Sequence, residues 1–212
     1  FVGGFPYDAV LQRQFEIARG VMDRRRGKFL LFGGFRAPER AVPLFESVVK
    51  NGPRADFAPE AQYLVGKAYE LSEQLELAVV GYMTAQHRYP LSPFAQKAAF
   101  GRAHCLYRLS DENPNDDEAL EQAWAGVSVF INTFPMAEEI EVAKSYRETL
   151  LRRRAKTAYD RAVFYDQVAR KPAAALQAYQ SFSQLFPNSE WTSVARVRID
   201  VLSKTVEKPD EK

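Results

Sequence analysis

The chain has one cysteine, Cys105, and only two histidines, His87 and His104, in 212 residues. A single thiol cannot build an internal disulfide framework. So few imidazoles and thiols leave no ligand set at zinc-site spacing, and no metal site is expected. His104 and Cys105 are neighbours. Adjacent residues of a helix point about 100° apart, which rules them out as a hydrogen-bonded catalytic pair and makes Cys105 a structural residue in a helix seam. No GxGxxG, P-loop, HExxH or CxxC pattern occurs, so the chemistries those patterns serve have no foothold. No run approaches the ~20 apolar residues of a membrane-spanning helix. An excess of one charge is also lacking. With 29 Lys+Arg against 27 Asp+Glu the net charge is +2, too small for a general attraction to nucleic acid. No signal peptide or lipobox is read at Phe1-Val2-Gly3-Gly4-Phe5-Pro6. Phe5-Pro6-Tyr7-Asp8 reads as the end of a preceding helix pair, so the natural protein is expected to continue upstream.

What is present is self-similarity, the first thing to seek in a chain without motifs. Helix-ending signals recur at Gly52-Pro53, Tyr89-Pro90, Phe134-Pro135 and Phe186-Pro187. Before each proline, in constant register, stand an alanine (Ala41, Ala78, Ala123, Ala175) and then a bulky residue (Phe45, Tyr82, Val127, Tyr179). The stretch Pro59 to Ser92 fits the tetratricopeptide pattern, with Gly66, Tyr69, Ala78, Tyr82, Ala85 and Pro90 in place. Small Gly66 and Ala78 let two antiparallel helices approach, aromatic residues fill the seam, and Pro90 stops the second helix. The fold class follows: an all-α, tetratricopeptide-like superhelical array of about four antiparallel helix pairs plus a closing C-terminal helix. A single domain is expected over 1–207, with pairs at about 7–53, 58–92, 93–136 and 138–188, a closing helix at 189–207, and a solvated tail at 208–212. Ser92-Pro93 and Asn188-Ser189-Glu190 offer helix caps. The acidic stretch Asp111 to Glu121 should separate the helices of the third pair. Its oxygen-rich start mimics a calcium loop but lacks the glycine and the final glutamate, so a solvated connector is expected, with its Asp and Glu favouring the N-terminus of the next helix. The long first helix of the fourth pair should run from about Glu138 to Ala169.

The segments Ala78 to Pro90 followed by Leu91-Ser92-Pro93-Phe94-Ala95, Phe130-Ile131-Asn132-Thr133-Phe134-Pro135, and Phe186-Pro187-Asn188-Ser189-Glu190-Trp191 carry a resemblance. Together with the long linking helix, they make the array similar to the BamD family (YfiO or ComL), lipoproteins of the outer-membrane β-barrel assembly machinery. The similarity covers most of the chain from about Tyr7 to Val206. Related endings occur in other periplasmic repeat proteins, such as the cell-division coordinator CpoB. The resemblance implies a non-enzymatic periplasmic scaffold without cofactors at the inner face of the outer membrane. It also implies contact with a barrel-assembly outer-membrane protein, unfolded barrel peptides, or both, and membrane association through an upstream lipid anchor. A scaffold for cell division or peptidoglycan coordination, or a non-catalytic subunit of a larger envelope complex, is the alternative.

Two places could bind. Helical repeats line a groove with the first helix of each pair, and residues three or four apart share a helix face. Tyr63, Lys67 and Glu70 should face that groove in the second pair. Matching Gly66 with Gly101 makes Arg19, Lys67 and Arg102 equivalent, a ladder of cations suited to a peptide carboxylate or simply three solvated basic residues. The second place is the insertion Asp23 to Arg40, too long for a connection inside one helix pair. It is basic at Arg24, Arg25, Arg26 and Lys28, and apolar at Phe29, Leu31, Phe32 and Phe35. Those apolar residues either plug the first pair's core or form a docking patch for a partner or for an anionic membrane surface.

Overall fold

A computed structural model describes residues 7–29 and 32–207, with side chains for all of these except 25–29 and 32–36. The elements run α1 (Tyr7–Asp23), β1 (Arg25–Phe29), β2 (Phe32–Arg36), a 3-10 turn (Pro38–Ala41), α2 (Val42–Asn51), α3 (Ala58–Leu71), α4 (Leu75–Arg88), α5 (Pro93–Glu112), α6 (Asp117–Thr133), α7 (Ile140–Val163), a π-helical turn (Phe164–Val168), α8 (Pro172–Leu185) and α9 (Thr192–Glu207). Successive helices pair into an all-α, tetratricopeptide-like array. The chain divides into two compact units, Phe1–Tyr146 and Arg147–Lys212, and α7 starts in the first and ends in the second.

The recurring prolines set the period by one mechanism. A residue that precedes proline is pushed out of the α region. Gly52, Tyr89, Phe134 and Phe186 accordingly share nearly one backbone conformation, with φ/ψ of −132/62, −133/58, −127/61 and −128/59. Each still donates its N–H to the carbonyl four residues back, which closes α2, α4, α6 and α8 in the same way. Tyr89 OH also donates to Pro53 O at 3.0 Å and so ties one ending to the previous one. The repeat alanines and their bulky partners are all buried: Ala41, Ala78, Ala123, Ala175, Phe45, Tyr82, Val127 and Tyr179.

In the first unit the seam of the second pair is tight enough to need glycine. A Cβ on Gly81 would lie 2.8 Å from Gly66 Cα, so α3 and α4 touch backbone to backbone there. A Cβ on Gly66 would meet Tyr82 Cδ1 at 2.6 Å, and one on Gly101 would meet Tyr82 Cζ at 2.5 Å. The Tyr82 ring is thus gripped between α3 and α5, above a core of Leu75, Ala78, Ala85, Ala98 and Cys105. The preceding core joins α1 and α2 through Phe15, Ala18, Met22, Phe45, Val48 and Val49.

Two expectations change. The acidic stretch does not separate α5 from α6 over its whole length, since α5 extends to Glu112 and α6 begins at Asp117. Asp116 makes the early start possible, because its Oδ1 accepts from the N–H groups of Glu118 and Ala119 at 2.9 and 3.1 Å. Asp117 and Glu118 then sit favourably at the positive end of the helix dipole. The insertion after α1 contains an antiparallel hairpin that pairs Arg25 with Arg36, Arg26 with Phe35, Lys28 with Gly33, and Phe29 with Phe32. Leu31 lies outside the described residues. The side chains of Arg25, Arg26, Lys28, Phe29, Phe32 and Phe35 do too, and the choice between plug and docking patch therefore passes to the hairpin's backbone placement. Arg24 is exposed.

In the second unit, Ala155, Ala162, Ala175, Tyr179, Phe182, Ala195 and Leu202 form the core, and Tyr159 stacks on Trp191 at 5.9 Å. Asp166, in the π-helical turn, receives two hydrogen bonds from Arg198 of α9 at 2.8 and 2.7 Å. Tyr179 OH also donates to Asp166, at 3.3 Å.

Candidate functional site

The first helices of successive pairs lie side by side in the first unit. On α3, the spacing of Tyr63, Lys67 and Glu70 puts all three on one face. Lys67 Nζ donates to Glu70 Oε1 at 2.8 Å, and the Tyr82 hydroxyl donates to Glu70 Oε2. Tyr63 lies 5.7 Å, centroid to centroid, from both Tyr82 and Phe94, which carries the face across to α5. There Phe100 stacks on His104 at 6.1 Å. The face continues onto the first turns of α7. Tyr146 OH and His104 Nδ1 are 2.9 Å apart, and Tyr146 stacks on Tyr107 at 4.1 Å with planes 10° apart. Arg108 bonds Glu73 and lies 3.6 Å from Glu112.

The ionisable groups are set by this packing. Burial, followed by the Glu70 carboxylate, raises the pKa of the Tyr82 hydroxyl far above its usual range, so it stays a donor. Burial and Glu70 also raise Tyr63. Burial lowers His104 below the ordinary imidazole value, so it is neutral at neutral pH and its Nδ1 can accept from Tyr146. Cys105 points the other way, into the core beside Tyr82. Burial pushes its thiol up to about 12, which leaves almost no thiolate to act as a nucleophile at neutral pH.

The structure gathers Tyr63, Lys67 and Glu70 but does not align Arg19, Lys67 and Arg102. Arg19 is exposed, 3.7 Å from Glu60, with its guanidinium 5.8 Å from the Phe15 ring centroid. Lys67 is neutralised by Glu70. Arg102 lines a cleft of about 210 Å³ with Gln86 on α4 and Pro90 after it, Ala95 and Ala99 on α5, and Gly126, Val129 and Phe130 on α6. Its Nε is buried there without a hydrogen-bond partner. The physical reason is that Gly66 and Gly101 are not equivalent places. They face each other across the Tyr82 ring, so the residues that follow them turn to different sides. In the register of the prolines the counterpart of Arg102 is Val65, which lines the corresponding cleft between α2 and α4. A larger cleft of about 810 Å³, lined by Tyr7, Asp8, Leu11, Asn51, Arg54, Asp56, Phe57 and Glu60 among others, contains none of the residues expected in the groove. Sequence reasoning also missed the His104–Tyr146–Tyr107 stack. The spacing of His104 and Tyr107 places them on one face, but nothing local marks Tyr146 as their partner.

Helix pairs in constant register that present an aromatic and polar face on their first helices define a tetratricopeptide-type array, a class built for binding other chains. A family model described as YfiO, outer membrane lipoprotein, matches residues 56–209, most of the chain. The chain belongs to that family. No curated protein matches it. Among the described residues no helix is long and apolar enough to cross a membrane.

Proposed function

We propose that this chain is a non-catalytic scaffold of outer-membrane β-barrel protein assembly, working in the periplasm at the inner face of the outer membrane. It would hold an extended segment of an unfolded barrel protein, or of a barrel-assembly partner, on the face made by α3, α5 and the start of α7. The observation that carries this reading is the half-buried aromatic row of Tyr63, Phe94, Phe100, His104, Tyr107 and Tyr146, in a member of an outer-membrane lipoprotein family. Tyrosine suits such a task because its ring supplies contact area at small entropic cost while its hydroxyl still bonds peptide groups. Lys67 and Arg108 beside the row are already paired with Glu70 and Glu73, and Lys97 lies over the Phe94 ring at 5.5 Å, so recognition rests on rings and peptide groups more than on net positive charge. The test is a fluorescence-anisotropy titration with a labelled C-terminal peptide of an outer-membrane barrel protein. Tyr107→Ala should weaken binding by about tenfold, the scale of an interface anchor, while the circular dichroism spectrum is unchanged. Equal affinity for the variant and the parent would remove the face from the account.

A further inference from the structure

The residues from Arg24 to Arg36 include five cations (Arg24, Arg25, Arg26, Lys28 and Arg36) and no acid. Within this stretch Arg25–Phe29 and Phe32–Arg36 pair as antiparallel strands, with Arg26 opposite Phe35 and Lys28 opposite Gly33 between two unlike ends. At the root, next to α1, Arg25 stands opposite Arg36. At the far end Phe29 stands opposite Phe32. At about 3.3 Å per residue the two rungs are roughly 13 Å apart. Like charges directly opposite each other weaken a strand pair, and an isolated two-stranded hairpin is marginal in water. Among the described residues, the main packing of each strand is on the other. A cationic root and an aromatic end make little sense for the hairpin's own stability. They fit a surface that offers negative charge in one layer and apolar material a little deeper.

We propose that the hairpin formed by Arg25–Phe29 and Phe32–Arg36 is a membrane-contacting element. Its Phe29/Phe32 end enters the headgroup–acyl boundary of an anionic phospholipid surface, and its cationic root sits at the phosphates. An interfacial element reaches about 5–10 Å into that boundary, which leaves the Arg25/Arg36 rung at headgroup level. A protein partner would need carboxylates and an apolar recess at matched places, whereas a fluid bilayer supplies both without fixed geometry. The proposal rests on family membership for bringing the chain to a membrane at all. It adds a second point of attachment to the membrane surface. The hairpin lies ahead of the matched span 56–209.

The test is flotation of the full chain with vesicles of phosphatidylcholine and with vesicles of phosphatidylcholine plus phosphatidylglycerol. Each basic residue near an anionic surface is worth about fivefold in partition. The parent should prefer the anionic vesicles by about tenfold or more and lose that preference at high salt. Arg25→Glu/Arg26→Glu should abolish the preference. Lys50→Glu/Arg88→Glu makes the same change in net charge at two exposed positions away from the hairpin and should retain it. Phe29→Ser/Phe32→Ser should lower partition into anionic vesicles by about tenfold or more. Circular dichroism shows whether each variant keeps its helices. Equal binding to both vesicles, no binding to either, or equal losses for the two charge-reversed pairs would overturn the proposal. So would an unchanged partition for the serine variant. Peptide affinity of Arg25→Glu/Arg26→Glu should stay at the parent's value, which separates a failure of this proposal from a failure of the peptide-binding face.

Discussion

Replacing Gly66 with alanine sets two effects of known size against each other. In the interior of α3, alanine is favoured over glycine by about 0.8–1.0 kcal/mol. If the site had room, the variant would be more stable by that amount. It has no room, because the added Cβ would stand 2.6, 2.8 and 2.9 Å from Tyr82 Cδ1, Cγ and Cε1. Carbon atoms prefer separations of about 3.5–4.0 Å, so the ring would have to retreat by about 1 Å. Gly101 blocks the retreat from the opposite side of the same ring, and the contact between Gly81 and Gly66 keeps α3 and α4 from parting. Overpacking in such a place costs about 1–3 kcal/mol, and the two-sided grip puts this case toward the upper end. The net effect is a loss of about 1–2 kcal/mol. For a chain of this size each kcal/mol moves the melting temperature by about 2–4 °C, so Gly66→Ala should melt about 2–8 °C below the parent in a circular dichroism scan. Adding Tyr82→Leu to Gly66→Ala should cost less than the sum of the two single changes, a coupling that a double-mutant cycle reads directly. A melting temperature 2–4 °C above the parent, the result of propensity alone, would refute the clamp.

Other outcomes follow from the same packing. Ala78→Trp puts an indole into a fully buried seam position and should lower stability by about 3 kcal/mol or prevent folding, checked by urea denaturation. Asp166→Asn breaks the paired hydrogen bonds from Arg198. Because Arg198 is partly exposed, the loss should fall below the buried-pair range, at about 1–3 kcal/mol, and calorimetry should show it in the second unit. His104 has its pKa lowered by burial, so the unfolded chain binds its proton more readily than the folded one. Its contribution is fully present above the unfolded value near 6.5 and is lost as pH falls through the lower folded value. Urea midpoints at pH 7.5 and 5 should therefore differ more for the parent than for His104→Gln. Cys105 should resist alkylation at pH 8 in the folded chain and react readily in denaturant, as expected of a buried thiol held at about 12.

The parts of the fold that were legible in the sequence are those governed by local rules. Proline dictates the conformation of the residue before it, so Gly52, Tyr89, Phe134 and Phe186 could be recognised as helix ends before any tertiary contact was known. Ala78 and Tyr82 keep their spacing from Pro90 because a helix seam admits one small and one large residue per turn pair. The limits appear where a contact joins distant segments. Gly66 and Gly101 look like two copies of one motif position, yet they touch opposite sides of a single ring. That difference moved Arg102 from the expected row into the cleft between α4 and α6. The pairing of Lys67 with Glu70 was within reach, since they are three residues apart on a helix, but its consequence depends on Tyr82 also reaching Glu70 from α4. Acidic residues suit both loops and helix starts, so the composition of the stretch marks a helix start nearby but not its position, which the cap by Asp116 sets. Glycines in the insertion argued against a helix but carried no strand register.

The central claim is that the face built by α3, α5 and the start of α7 receives an extended segment of an outer-membrane protein. Site-specific photocrosslinking tests it most directly. A photoreactive amino acid is placed at Tyr107, on that face, and in a separate variant at Val80, an exposed position on α4. Each is irradiated with an unfolded outer-membrane barrel protein kept soluble in dilute urea. Crosslinks at position 107 that an excess of unlabelled barrel peptide suppresses, with little or no product at position 80, are the predicted result. Equal crosslinking at both positions, or product at 80 and none at 107, would contradict the account.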